Sequence, residues 1–298
     1  MDGTPTSAVR PSAIAGAWYP GSAPVLRRTI EGYLDQVRPV ALPGRLLALV
    51  SPHAGYAYSG STAAQAYAQL RSAPPQSDGT PPESPMVDRV VLLGPLHRPV
   101  WGSRHAALMV PAEDAYRTPL GDVPLDRTFI NALGQRTSLT SVRMDEEHSL
   151  EIQLPFLQVA LGKFSLVPIM LGQHISDPRA ASQADTLAEA LAGLADTGTL
   201  LVASTDLSHL DNYADVVRTD RRLVDLVAEF DVDGLAEALQ EEEVQACGAT
   251  GLIAMLRTCQ KLGATGARVL SYAASGDVTG DKRPGVYTVG YLAAAVYG

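Results

Sequence analysis

The chain has 298 residues, 46% of them hydrophobic and 18% charged, with a formal net charge of −9. This composition is that of a globular protein able to bury a large core, and it excludes an intrinsically disordered chain. No dense Lys/Arg patch is present, so neither nucleic acid nor an anionic membrane surface is an expected partner.

In chain order, residues 1–9 read as a flexible tail. Ser22-Ala-Pro24 has the signature of a helix start, Ser22 as cap and Pro24 in the first turn, for a helix to about Val37. A first strand is expected at 45–50, then a helix from Ser59 to Leu70 with Ala63, Ala64, Tyr67 and Leu70 on one face. The Pro-rich stretch 72–88 reads as a surface loop, because a new apolar strand (89–93) follows at once. Further strands are expected at 105–110, 164–170, 199–203, 267–274 and 286–296. Helices are expected at about 125–135, from Ser149 to Leu161 with Pro155 delaying or kinking it, and from Asp177-Pro178 to Ala195. Three more are expected at 213–230, 233–240 and 249–262. Alternating strands and helices with no dividing linker predict one layered α/β domain over 10–298.

No stretch approaches the roughly 20 apolar residues of a spanning helix, and no secretory signal is visible. The two cysteines, Cys247 and Cys259, make no disulfide framework, so a reducing, cytoplasmic location is expected.

Three apolar runs lead into histidines: Leu46–Val50 into Ser51-Pro-His53-Ala-Gly55-Tyr56, Val90–Leu93 into Gly94-Pro-Leu-His97, and Leu200–Ala203 into Ser204-Thr-Asp206-Leu-Ser-His209. Unalternating apolar runs mark strands buried on both faces, and ligands of open α/β sheets sit beyond the carboxyl ends of such strands. His53 and His97 on two strand ends can converge in a twisted sheet as neutral imidazole ligands; the bland reading of each is a structural histidine. Arg98 pairs an anion or is solvated. Asp206 and His209 share a pocket if their turn is helical, either for proton transfer by a His209 oriented by Asp206 or for extra ligation. Cys247 precedes an apolar helix whose dipole favours a thiolate, so it is reactive, a ligand, or a small buried hydrophobe. Cys259 is read as core. Asp145-Glu-Glu147-His148-Ser-Leu-Glu151 is either a solvated helix start or a cluster supporting a site. His105 and His174 carry no pattern. A Cys247–His209–Asp206 nucleophilic triad is allowed by residue type but leaves His53 and His97 unused.

Seven segments in order resemble the Memo family, the mediator of cell motility homologues whose prokaryotic members are called AmmeMemoRadiSam system protein B. They are Ala15-Gly-Ala-Trp-Tyr19, Pro52-His-Ala-Gly-Tyr56, Gly94-Pro-Leu-His97, Tyr116-Arg-Thr-Pro-Leu120, Glu147-His-Ser-Leu-Glu151 with Leu154-Pro155, Ser204-Thr-Asp-Leu-Ser-His209, and Cys247-Gly248. The resemblance implies an α/β sandwich with a central mixed sheet, like the class III extradiol ring-cleaving dioxygenases. It implies a single metal ion, iron or copper with zinc as a further option, held by His53, His97 and Cys247. Asp206 and His209 would then move protons, and Tyr56, Glu147, His148 and Arg98 would line or support the pocket. Leu96-His97-Arg98 departs from the Ser-His-His often found in the family, and Leu210 replaces a frequent aromatic. The function implied is a metal-dependent redox role on a small molecule or peptide. The alternatives are a non-catalytic module acting with an AMMECR-type protein and a radical SAM protein, or a Cys-nucleophile hydrolase.

Overall fold

The computed structural model describes residues 8–71, 87–98, 100 and 107–298. His105 and most of the Pro-rich loop therefore lie outside the described residues. Order begins earlier than the sequence suggests. Val9–Arg10 form a short strand, β1, and the amide of Ala8 donates to Asp114 Oδ2. Helix α1 (Ala23–Leu34), strand β2 (Leu46–Ser51), helix α2 (Tyr56–Tyr67, extended by a 3-10 turn to Leu70) and strand β3 (Arg89–Pro95) follow. Ser22 makes no side-chain cap, although Pro24 does stand in the first turn of α1. Strand β4 (Leu108–Pro111) leads to a hairpin, β5 (Ala115–Thr118) and β6 (Gly121–Pro124), that the sequence reading missed. Next come α3 (Arg127–Gly134), β7 (Thr140–Val142), a 3-10 turn over Glu151–Gln153, α4 (Leu154–Leu161) and β8 (Ser165–Leu171). Pro155 sits in the first turn of α4, where a missing amide does no harm. The chain closes with α5 (Pro178–Ala192), β9 (Thr199–Ser204), β10 (Asp206–Leu210), α6 (Tyr213–Ala228), α7 (Val232–Gln240), α8 (Ala249–Lys261), β11 (Gly266–Ala274), α9 (Ser275–Thr279) and β12 (Thr288–Tyr297). Helix starts are fixed locally where Asp126, Asp177, Asn212 and Asp231 accept first-turn amides.

The architecture is a nine-stranded mixed sheet covered by helices on both faces, with a small sheet β1-β5-β6 at its side. Strands β2, β9, β3 and β8 are parallel neighbours, and β12 joins β2 antiparallel. Helices α2 and α8 both pack on β2 and β12. Every residue of β2 is buried, which is why Leu46–Val50 is an unbroken apolar run. Along β12, β11 takes one edge from Gly290 to Tyr297. The other edge is shared end to end: β2 pairs with Ala294–Tyr297 and β10 with Thr288–Tyr291.

Candidate metal centre

The sharing of the β12 edge builds the site. Strands β2 and β9 end together at Ser51 and Ser204. The chain leaving β9 crosses the end of β2, where the amide of Thr205 donates to Ser51 O at 2.9 Å, and continues as β10 in line with β2. The crossing sets Asp206 against the loop after β2: Asp206 Oδ1 accepts the amide of His53 at 2.7 Å, and Oδ2 lies 4.0 Å from His53 Nε2. Asp206 and His209 lie on a strand, not on the helical turn expected. In a regular strand residues three apart face opposite sides. A bulge between Asp206 and His209 reverses that parity, so both line one cleft. The amide of Ser208, inside the bulge, donates instead to Asp220 Oδ1 of α6 at 3.1 Å.

His53, His97 and His148 each bring one ring nitrogen into a set whose members all lie within 4.8 Å of one another. The rings of His97 and His148 stack at 4.7 Å and 23°, and His53 meets both edge-on. Glu147 holds two of the three. Its Oε2 accepts the amides of His97 (2.5 Å) and Arg98 (3.1 Å). Its Oε1 accepts the amides of His148 and Ser149 (both 2.9 Å) and faces His97 Nδ1 at 3.1 Å. A carboxylate behind an imidazole fixes its tautomer and leaves Nε2 free for a ligand. Glu147 is buried, so the acidic cluster is not a solvated helix start. Asp145 and Glu151, also buried, hold the guanidinium of Arg10.

The third member of the set is thus His148, where the sequence reading placed Cys247. Cys247 approaches from the loop before α8 and, of the three histidines, reaches His53 alone: its Sγ lies 3.1 Å from His53 Nε2 and accepts the amide of Asp206 at 3.2 Å. Asp206 orients His53, and among the described residues no hydrogen bond joins it to His209. His209 donates Nδ1–H to Leu207 O at 2.9 Å. Tyr56 is buried beneath the site and donates to Ile152 O, whereas Tyr58, two residues on, lines the cleft. Arg98 stays at the rim, paired with Glu146 at 3.6 Å. Cys259 is fully buried in α8, as read.

Burial, then the neighbouring imidazoles, push the pKa of His53 well below its ordinary value. Burial takes His148 down to about 4 and also lowers His209. Burial raises the Asp206 carboxyl to about 7. Burial and then Asp206 push the Cys247 thiol well up, overriding the dipole expected to favour a thiolate. For Glu147, burial pushes upward, but the hydrogen bonds from His97 and Ser149 outweigh it and hold the group well below the carboxylate range. The cleft has a volume of about 580 Å³ and aromatic walls of Trp18, Tyr58, Tyr287 and Tyr291. A second cavity of about 470 Å³ shares His209 and reaches Cys247. Sequence reasoning missed Gln153, Asp220, Tyr287 and Tyr291, which stand in no local motif.

Fold and cleft together define an α/β protein with a histidine-lined site at the ends of its parallel strands. The chain belongs to the Memo family, whose description, Memo-like protein, matches residues 10–295. A MEMO1 family protein of Methanopyrus kandleri is 33% identical over 299 residues, covering 95% of this chain and 97% of its own. MEMO1 family proteins of Sulfolobus acidocaldarius (95% and 98% covered) and Thermotoga sp. strain RQ2 (97% and 99%) are also 33% identical. Among solved structures, an uncharacterized protein of Escherichia coli K12 superposes with a TM-score of 0.48 at 15% identity, covering 85% of this chain and 100% of that one. Among the described residues no helix is long and apolar enough to cross a membrane.

Proposed function

We propose that this Memo-family protein holds one transition-metal ion on His53, His97 and His148 and uses the cleft for redox chemistry on a small organic molecule or peptide. The observation that carries this reading is the mutual approach of the three ring nitrogens. The donor set fits such an ion: three imidazoles suit iron, copper or zinc and not magnesium or calcium. At neutral pH His53 and His148 are uncharged, with lone pairs available. Bound iron or copper would supply one-electron chemistry and Lewis acidity, and zinc the Lewis acidity alone.

The chain's own residues do the rest. Glu147 fixes two rings. Asp206, titrating near neutrality beside the cleft, takes up or gives a proton at Oδ2, and His209 offers Nε2 further along the wall. The aromatic walls exclude water and stack against a planar or apolar ligand. Metal analysis after purification without chelator tests the reading. Wild type should carry close to one ion per chain, His148→Ala should lose most of it, and Cys247→Ser should retain more than His148→Ala. Equal, negligible metal in wild type and in a His53/His97/His148 triple alanine variant would overturn it.

The 3.1 Å contact between Cys247 Sγ and His53 Nε2 favours a second reading, a thiol nucleophile with His53, not His209, as its base. Alkylation of Cys247 seen by intact mass, abolished by His53→Ala and not by His209→Ala, would support it. The aromatic mouth is also the surface we propose for an AMMECR-type or radical SAM partner, to be tested by co-purification.

A further inference from the structure

His53 is the one member of the histidine set that Glu147 does not hold. Its Nδ1 instead faces Ser204 Oγ, at the end of β9, at 3.0 Å. A hydroxyl has one proton and two lone pairs, and the surroundings of Ser204 account for all three. Ser204 Oγ–H donates to Ser149 O at 2.6 Å. Gln153 Nε2 donates to Ser204 Oγ at 2.8 Å. The orientation of that amide is itself forced, because Gln153 Nε2 also lies 2.9 Å from Pro52 O, which has no hydrogen to give. Gln153 Oε1 accordingly accepts from Tyr67 OH at 2.8 Å. One lone pair of Ser204 is left, and only a donor can satisfy it.

We infer that Ser204 and Gln153 are positioning residues that lock His53 as the Nδ1–H tautomer, so that its Nε2 lone pair is presented to the cleft. The relay runs Tyr67, Gln153, Ser204, His53. Every group in it is buried: Tyr67, Gln153, Ser204 and His53 are all 3% exposed or less. In such surroundings an unmatched donor or acceptor keeps its full desolvation penalty, so the wrong tautomer is excluded by the whole network and not by one contact. On the far side of the ring, Cys247 Sγ lies 3.1 Å from Nε2 and accepts the Asp206 amide; a bare Nε2 offers its S–H an acceptor there, closer than Asp206 O at 3.5 Å. None of Tyr67, Gln153 and Ser204 lines the cleft, so their effect on a ligand passes through His53. The consequence for metal binding rests on the reading proposed above; the tautomer itself does not.

The experiment is ¹⁵N histidine-ring NMR on the metal-free full chain, with the His53 signals assigned by loss in His53→Asn, followed by zinc titration. Wild type should show His53 protonated at Nδ1 and bare at Nε2. Ser204→Ala should shift His53 toward the Nε2–H form while leaving the His97 signals in place, and should weaken zinc binding about 10–100-fold, the usual effect of removing a partner behind a ligand. Ser204→Thr, which keeps the hydroxyl, should restore both. A wild-type His53 carrying its proton on Nε2 would overturn the inference, as would an unchanged tautomer in Ser204→Ala. Should Ser204→Ala not fold, the wild-type and Ser204→Thr spectra decide alone. Absence of zinc binding by wild type would defeat the metal reading and leave the tautomer result standing.

Discussion

Replacing Glu147 by Gln tests how much of the site hangs on one carboxylate. The two side chains have the same shape, but one oxygen becomes an NH2 group that must face donors. Placed at the Oε2 position it confronts the amides of His97 and Arg98. Placed at Oε1 it confronts the amides of His148 and Ser149 and the ring of His97. Either way at least two hydrogen bonds to a buried charge are lost. At about 1.5–3 kcal/mol each, Glu147→Gln should lose roughly 3–6 kcal/mol of stability. Domains hold only about 5–15 kcal/mol in all, so the urea midpoint of the metal-free protein should fall by a large fraction. Glu146→Gln is the control: the Glu146 side chain is 76% exposed and pairs with Arg98 at 3.6 Å, so its loss should stay within about 1 kcal/mol. A Glu147→Gln protein that unfolds at the wild-type midpoint would refute the reasoning, because the donors would then be satisfied elsewhere.

Arg10→Met should be as damaging for the opposite charge: it strands the buried carboxylates of Asp145 and Glu151, a change that costs about 3–5 kcal/mol. Its urea midpoint should drop well below wild type, and a drop under 1 kcal/mol would count against the buried pairing. Asp220→Asn gives a pH signature. Burial raises the Asp220 carboxyl despite its hydrogen bonds from Ser208 and Tyr272. The folded chain therefore keeps that proton to higher pH than the unfolded chain, and the group's contribution to stability falls as pH rises through its raised value. Asparagine cannot ionise, so the variant should gain on wild type as pH climbs above the ordinary carboxylate value of 3.8. Denaturation at a series of pH values that shows a constant difference would contradict this.

The parallel strands were legible in the sequence because strands buried on both faces need no polar positions, so β2, β3 and β9 stand out as unbroken apolar runs. Their carboxyl ends pointed directly to His53, His97 and the Asp206 segment. The short hairpin β5–β6 was not legible: it has four residues on each side, including Arg117 paired to Asp122 across the turn, and no apolar run. Tyr56 lies beneath the cleft and not in its wall because the helix starts three residues earlier than expected. Once Tyr56 and Tyr58 are helical they lie roughly 200° apart, one into the core and one into the cleft. The bulge that brings Asp206 and His209 to one face depends on the pairing of β10 with β12, some 80 residues apart in sequence. His148 was read as a pocket or supporting residue and not as a member of the ligand set for a similar reason. Its neighbours in sequence are acidic and suggest a solvated helix start, whereas its partners in space, His97 and His53, belong to other strands' ends.

Ser149 explains why that acidic segment ends up inside. Each of its polar atoms ties a different arm of the site. Its amide donates to Glu147 Oε1, which holds His97 and His148. Its hydroxyl donates to Pro95 O at 2.7 Å, which fixes the end of β3 just before His97. Its carbonyl accepts Ser204 Oγ–H, the bond that leaves Ser204 an acceptor for His53. Gly94 permits the approach, since a Cβ there would stand 2.8 Å from Ser149 Oγ and 2.7 Å from Leu150 Cδ2. The support behind His97 and His148 and the support behind His53 are thus joined through one residue, and a shift of the 145–149 segment moves all three rings together. The third ring of the set therefore comes from this segment, which is bonded to both strand ends at once, while Cys247, anchored to the crossing at Thr205 and Asp206, meets His53 alone of the three rings.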